Sequence, residues 1–188
     1  MRKTAAPLCA VLAAAACSPS TIALRTAASL IERGRPAILR EADIQLAKET
    51  LPGQLKLLEG LLESEPGNPD LLGSLAEGWT GYAYLFLEDE DPARAAAFYR
   101  RAAGYGLRLL ARSQAFHNLG GLTPDALAAA LPSAGAKDVR GLYWTATAWA
   151  GWANVAKSDP EALSAVPKAA RLMERVLALD PGFDNAGP

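Results

Sequence analysis

Residues 66–110 read PGNPDLLGSLAEGWTGYAYLFLEDEDPARAAAFYRRAAGYGLRLL, and the periodicity within them decides the fold. Leu71, Leu75, Trp79, Tyr82 and Phe86 recur at helical spacing and form one apolar face. Ser74, Gly78, Gly81 and Leu85 mark a second, small face on the same helix. Glycine in a helix interior costs about 1 kcal/mol relative to alanine, so two on one face predict the close approach of a neighbouring helix. The run Glu88-Asp89-Glu90-Asp91-Pro92 is a turn, with Asp91 suited to cap a helix and Pro92 to its first position. Beyond it Ala95, Tyr99, Ala102, Gly106 and Leu109 share a face, while Arg94, Arg101 and Arg108 lie a heptad apart on another. The stretch is a helical hairpin with small residues set against aromatics, the packing style of tetratricopeptide-type repeats.

Working outward, the rest of the 188 residues keeps to helix. Alanine is abundant, β-branched residues are sparse and no run alternates with period two, so the chain is expected to be all-α. Residues 53–64 are amphipathic, with Leu55, Leu58, Leu61 and Leu62 inward and Glu59, Glu63 and Glu65 outward. Before them, a helix from about residue 21 to 33 is expected to break at Gly34-Arg35-Pro36, resume at Ile38 and be punctuated again at Pro52. After the hairpin, residues 116–121 read as irregular, and Thr123-Pro124-Asp125 as the start of a short helix ending at Leu131. Residues 132–136 read as a loop. Residues 139–157 form a second aromatic helix with Leu142, Tyr143, Trp144, Trp149 and Trp152. After a short connection from Ser158-Asp159-Pro160, residues 166–179 form the last helix, with Ala169, Met173, Val176 and Leu177 inward. The segments from Gln54, Ala95 and Ala169 each resemble the second helix of a tetratricopeptide unit, without a strict 34-residue period. Degenerate tetratricopeptide-like hairpins stacked as a short superhelical bundle are the expected architecture.

The N-terminus carries a different signal. Met1-Arg2-Lys3 is a basic start, and residues 5–16 are uncharged, apolar and too short to span a bilayer. Ala14-Ala15-Ala16-Cys17 resembles a bacterial lipobox, with Leu12 displaced from the usual leucine position. Cys17 is therefore the expected lipidation site. Residues 1–17 are expected to be a lipoprotein signal peptide, and 18–188 a single helical domain beginning with a short tether. An ordinary secretory leader cut after Ala16 and a structural helix are the competing readings. Past Cys17 the chain has no cysteine, which excludes disulfides and thiolate metal sites there. Ser18 after the cysteine goes, by resemblance, with outer-membrane sorting. The net charge of −1 becomes −3 once Arg2 and Lys3 leave with a leader, so nothing recruits nucleic acid.

Several blocks in order carry a family resemblance: Leu57-Leu58-Glu59-Gly60-Leu61-Leu62-Glu63-Ser64, Asn68-Pro69-Asp70-Leu71-Leu72, Gly81-Tyr82-Ala83-Tyr84, residues 94–107 and the tryptophan helix Tyr143 to Trp152. Together they resemble the T-component of tripartite ATP-independent periplasmic (TRAP) transporters, over nearly all of the chain beyond Cys17. The resemblance implies a periplasmic lipoprotein with a tetratricopeptide-like fold, held to the membrane by its lipid alone. It also implies association with an extracytoplasmic solute-binding protein, a homotrimer, a channel or cleft in each protomer, and handling of a hydrophobic or organic-acid ligand. Family members continue with further helix where this sequence ends at Pro188. The 166–179 helix is thus expected to be uncovered on one side, through truncation or because a partner supplies the cap.

Candidate residues follow. Trp79, Tyr82, Tyr84, Tyr143, Trp144, Trp149 and Trp152 could line a cleft for an apolar or aromatic ligand; the competing reading is core packing. Arg94, Arg101 and Arg108 could receive a carboxylate or an acidic partner; the competing reading is a solvated face. His117 has no patterned partner for catalysis or metal binding, and no phosphate loop, nucleophile elbow or dinucleotide fingerprint occurs. No cofactor is expected and no bond chemistry. A generic envelope scaffold uses the same surfaces, while a glycan-acting enzyme needs a second acid opposite Glu77 across a cleft.

Overall fold

The computed structural model describes residues 26, 30, 33–38 and 40–186. The leader, Cys17, the tether and most of the 21–33 helix lie outside the described residues. The chain divides into two compact units, residues 1–40 and 41–188. In the first, residues 33–38 are helical, so Gly34-Arg35-Pro36 does not break the helix there. The Arg40 Nε donates to the Pro36 carbonyl at 3.0 Å.

The second unit holds α1 (Ile44–Ser64), α2 (Pro69–Phe86), α3 (Pro92–Leu110), α4 (Pro124–Ala130), α5 (Val139–Val155) and α6 (Pro160–Leu179). Short 3-10 turns lie between α3 and α4 and between α4 and α5, and no strand occurs among the described residues. The fold is all-α, built of antiparallel helices packed on one another. α3 lies against both α2 and α5; α1 packs on α2, and α6 on α5.

Caps set the starts. Asp43 accepts from the Gln45 and Leu46 amides ahead of α1, and Asn68 from Asp70 and Leu71 ahead of α2. Asp91 accepts from the Arg94 amide at 3.0 Å, with Pro92 at the first position, so the acidic turn starts α3 as the sequence predicts. Thr123 caps α4 and Asp159 caps α6. Proline placement corrects two boundaries. α1 runs through Pro52, and α6 begins at Pro160 and runs through Pro167 instead of starting at residue 166. A proline removes one helical donor but keeps a helical φ. Burial of Leu55, Leu58 and Leu62 on α1, and of Ala162, Ala165, Ala169, Leu172 and Val176 on α6, holds both helices continuous.

The core lies where α2, α3 and α5 meet. Leu71, Leu72, Leu75, Trp79, Tyr99, Leu110 and Leu142 are fully buried. Glycines pack against larger side chains between α3 and α5; the hairpin of α2 and α3, where small residues are expected against aromatics, has no such glycine contact. Gly151 leaves room for the Tyr99 ring, Gly106 for Thr145 and Gly141 for Leu110. On α2, Gly78 receives Leu55 of α1, but Gly81 meets nothing within 4 Å and Leu85 is exposed, so the predicted small face is covered over only part of its length. On α6 Ala169 and Val176 are buried as expected and Leu172 is buried with them, Met173 is half-buried, and Leu177, expected inward, is about half exposed, as are Leu163 and Val166. Arg175 donates to the carbonyls of Pro132 and Ala134, and Lys168 to that of Gly120, tying the linkers to α6.

Candidate functional site

Glu59 is read from sequence as outward and is instead buried, at 8 % exposure. An acid among leucines enters the core when donors on other helices meet it. The Trp79 indole of α2 and the Tyr105 hydroxyl of α3 each donate to Oε1 at 2.9 Å. Lys56 Nζ lies 2.6 Å from Oε2, which also accepts from Arg101. Burial pulls the Glu59 carboxyl upward, but the hydrogen bonds from Lys56, Tyr105 and Arg101 and the Arg101 charge outweigh it and hold the carboxyl below its ordinary value. Burial and the Glu59 acceptor raise the Tyr105 hydroxyl. Arg101 also lies over the Trp79 ring, 4.7 Å from its centroid, and Trp79 stacks on Phe98 at 4.7 Å. The cluster fastens α1, α2 and α3 together.

A second cluster sits at the start of α5. Arg140 reaches back to α2, with Nη2 3.2 Å from Glu77 Oε2 and its guanidinium over Gly73, where a Cβ would come within 2.7 Å. Glu77, the acid an enzymatic reading needs, is thus engaged in an ion pair. Tyr143 packs edge-on with Trp144 at 4.9 Å and with Phe183 at 5.1 Å, and its hydroxyl donates to Asp184 Oδ2 at 3.1 Å. Burial, then the Asp184 and Glu77 charges, raise the Tyr143 hydroxyl.

The candidate aromatics separate by environment. Trp79, Tyr82, Tyr143, Trp149 and Trp152 are buried, Trp144 is half-buried and Tyr84 is exposed at 67 %. Arg101 and Arg108 of the stripe reach the first hairpin, α1–α2, whereas Arg94 lies over a ring of its own helix. Arg94 lies 5.5 Å over Phe98, Arg101 holds Glu59, and Arg108 donates to the Pro66 carbonyl at 3.0 Å. The acidic turn is engaged as well. Glu88 accepts from the Tyr99 hydroxyl at 2.5 Å, and Lys48 pairs with Glu90 at 2.7 Å. Burial and Glu88 push the Tyr99 hydroxyl far upward. Sequence reasoning missed Glu59, Tyr105, Arg140 and Asp184 as partners. The one signal available was the phase of Glu59, one residue beyond Leu58 in an apolar repeat.

Among the described residues, no group of three or more His, Cys, Asp or Glu is placed to hold a metal ion, and no helix is long and apolar enough to cross a membrane. Fold and site together define an all-α protein of packed helical hairpins. Its buried charges clamp helix to helix, and its exposed apolar residues include Tyr84 and Leu85 at the end of α2. The chain belongs to the TRAP transporter T-component family, whose model matches residues 40–188, a span that takes in the whole second unit. No curated protein matches the chain. Membership gives an accessory role in a TRAP transport system, in a family that is not one of enzymes.

Proposed function

We propose that this protein is a lipid-anchored, periplasm-facing accessory component of a TRAP system that docks on its solute-binding protein and meets that protein's organic or hydrophobic ligand. The family match over residues 40–188 carries the reading. Cys17 would bear the lipid, with Ser18 directing it to the outer membrane, and the helical hairpins would act as tetratricopeptide-like docking units. Tyr84 and Leu85 stand two-thirds exposed at one side of the α2–α3 turn, with Arg94 exposed at the other. The aromatic and the aliphatic would meet a partner's apolar rim, and the cation its acidic residues. Half-buried Trp144 is a further contact. Trp79, Tyr82, Tyr143, Trp149 and Trp152 support the surface from inside, as do Arg101 and Arg108 through their ties to the first hairpin. The family implies a homotrimer.

The test is a pull-down from gently solubilised native envelopes with this protein as bait, read by mass spectrometry. Recovery of a periplasmic solute-binding protein, weakened about tenfold by Tyr84→Ala with Leu85→Ala, supports the reading; truncating exposed anchors of this kind removes on the order of 1–2 kcal/mol. Recovery of outer-membrane assembly factors alone moves the protein to the scaffold class. A form lacking residues 1–17 that is strictly monomeric and has no affinity for a cognate solute-binding protein overturns the transporter role.

A further inference from the structure

Two buried side-chain polar atoms among the described residues have no hydrogen-bond partner, the Thr145 hydroxyl and Arg175 Nε. A buried donor left without an acceptor is costly and needs a reason. Thr145 has a packing one, since it lies in the α3–α5 contact against Gly106. Arg175 has none of that kind. Its Nη2 donates to the Pro132 carbonyl at 3.1 Å and to the Ala134 carbonyl at 2.6 Å, which uses that corner of the guanidinium on the linker and leaves Nε over. Arg175 also lines an open pocket of about 290 Å³ between α6 and the end of α4. The walls are aliphatic, formed by Ala128, Leu131, Pro132 and Ala178. The charged groups there are Arg175, Arg171 one turn before it, and Glu174, which pairs with Arg171 at 2.9 Å. Both members of that pair are more than half exposed, and such pairs hold weakly.

We propose that this pocket binds a short-chain monocarboxylate, with the carboxylate on Arg175 and the alkyl chain along Ala128, Leu131 and Ala178. A carboxylate supplies the acceptor that Nε lacks, and a guanidinium is the cation whose geometry matches it. The volume lies at the lower end for small-molecule sites, which keeps the chain short. Two arginines against one glutamate leave a single positive charge in the lining. One carboxylate balances it, and a second would meet Glu174, so a dicarboxylate is disfavoured. Tyr84, Leu85 and Arg94 are not among the lining residues, so the site stands apart from the proposed docking surface and does not rest on it.

Isothermal titration of the full chain with sodium hexanoate tests the site. Saturable binding is expected, with a dissociation constant on the order of 0.1–1 mM, as a ligand of about eight heavy atoms allows. Succinate, which carries a second carboxylate, and 1-hexanol, which carries none, should each bind about tenfold more weakly. Arg175→Met also releases the linker, so the deciding variant is Ala178→Phe, which fills the pocket from an exposed position and leaves Arg175 in place. It should weaken hexanoate about tenfold, whereas Glu174→Gln should strengthen succinate several-fold. No saturable binding of hexanoate in the millimolar range overturns the site, since water then serves Nε. Equal affinity for 1-hexanol overturns the role of Arg175, and unchanged affinity in Ala178→Phe overturns the placement. A pull-down that recovers no solute-binding protein leaves the hexanoate titration as it is, so the two readings fail separately.

Discussion

Glu59 shows what one side chain does in this bundle. Its carboxylate accepts from Lys56, Trp79, Arg101 and Tyr105, contributed by three successive helices. Removing its charge leaves Arg101 and the Trp79 indole with a weaker acceptor, and a hydrogen bond to a charged group contributes about 1.5–3 kcal/mol. Glu59→Gln should therefore lower unfolding free energy by about 2 kcal/mol at pH 7, measured by urea denaturation. The pH dependence has a definite sign. The folded carboxyl lies below its unfolded value of about 4.3, so the folded state binds fewer protons there. Its stabilisation is fully present above about pH 4.3 and is lost as pH falls through the folded value. The gap between wild type and Glu59→Gln should begin to narrow below about pH 4.3 and keep narrowing as pH falls through the folded value; a gap that stays constant would mean Glu59 contributes through shape alone. From sequence the arginine stripe on α3 was legible as a face, but its object was not. Arg101 and Glu59 are 42 residues apart, and nothing local to either one announces the other.

At the scale of the element, the starts of helices were readable because caps are local chemistry. Asn68-Pro69, Asp91-Pro92 and Thr123-Pro124 each place an acceptor and a proline where the first turn needs them. Pro52 and Pro167 look the same in one dimension but sit inside continuous helices, since tertiary burial outweighs one missing donor. Glycine makes the same distinction between local preference and packing. At Gly151 an added Cβ overlaps the Tyr99 ring, which cannot retreat because its hydroxyl is bound to Glu88. Gly151→Ala gains about 1 kcal/mol of helix propensity but loses more to overpacking, which costs about 1–3 kcal/mol. The net should be destabilising, by about 1 kcal/mol or more. Gly81 lies on an equally regular helix with nothing within 4 Å, so Gly81→Ala should keep the propensity gain and stabilise by about 0.5–1 kcal/mol. Urea midpoints of the pair measured together check the assignment of the α3–α5 contact: opposite signs are expected, and equal signs would mean Tyr99 and Gly151 are not apposed.

For the whole molecule, the order of packing predicts an order of opening. α2, α3 and α5 carry most of the large fully buried side chains and α6 adds Leu172 and Val176, whereas α1, on the opposite flank, adds none. The first turns of α1 bury little: Ile44 and Leu46 are exposed, and burial begins at Leu55. Their polar tie to the hairpin is Lys48 to Glu90, an exposed pair of the kind that contributes at most about 1 kcal/mol. Local opening follows buried contact, so amides of residues 47–50 should exchange through small fluctuations and those of α3 and α5 only near global unfolding. Glu59 sits on the far half of α1, where Leu55, Leu58 and Leu62 hold that helix to α2. Glu59→Gln should then loosen the far half of α1 as well, raising exchange of residues 55–62 by about thirtyfold for a 2 kcal/mol loss, while α5 and α6 keep their ranking above it. Native-state hydrogen exchange with fragment resolution reads this directly. If residues 55–62 are instead as strongly protected as α5 in the unsubstituted protein, the bundle opens as one unit, and the Glu59 cluster supports the whole core rather than fastening one helix to its edge.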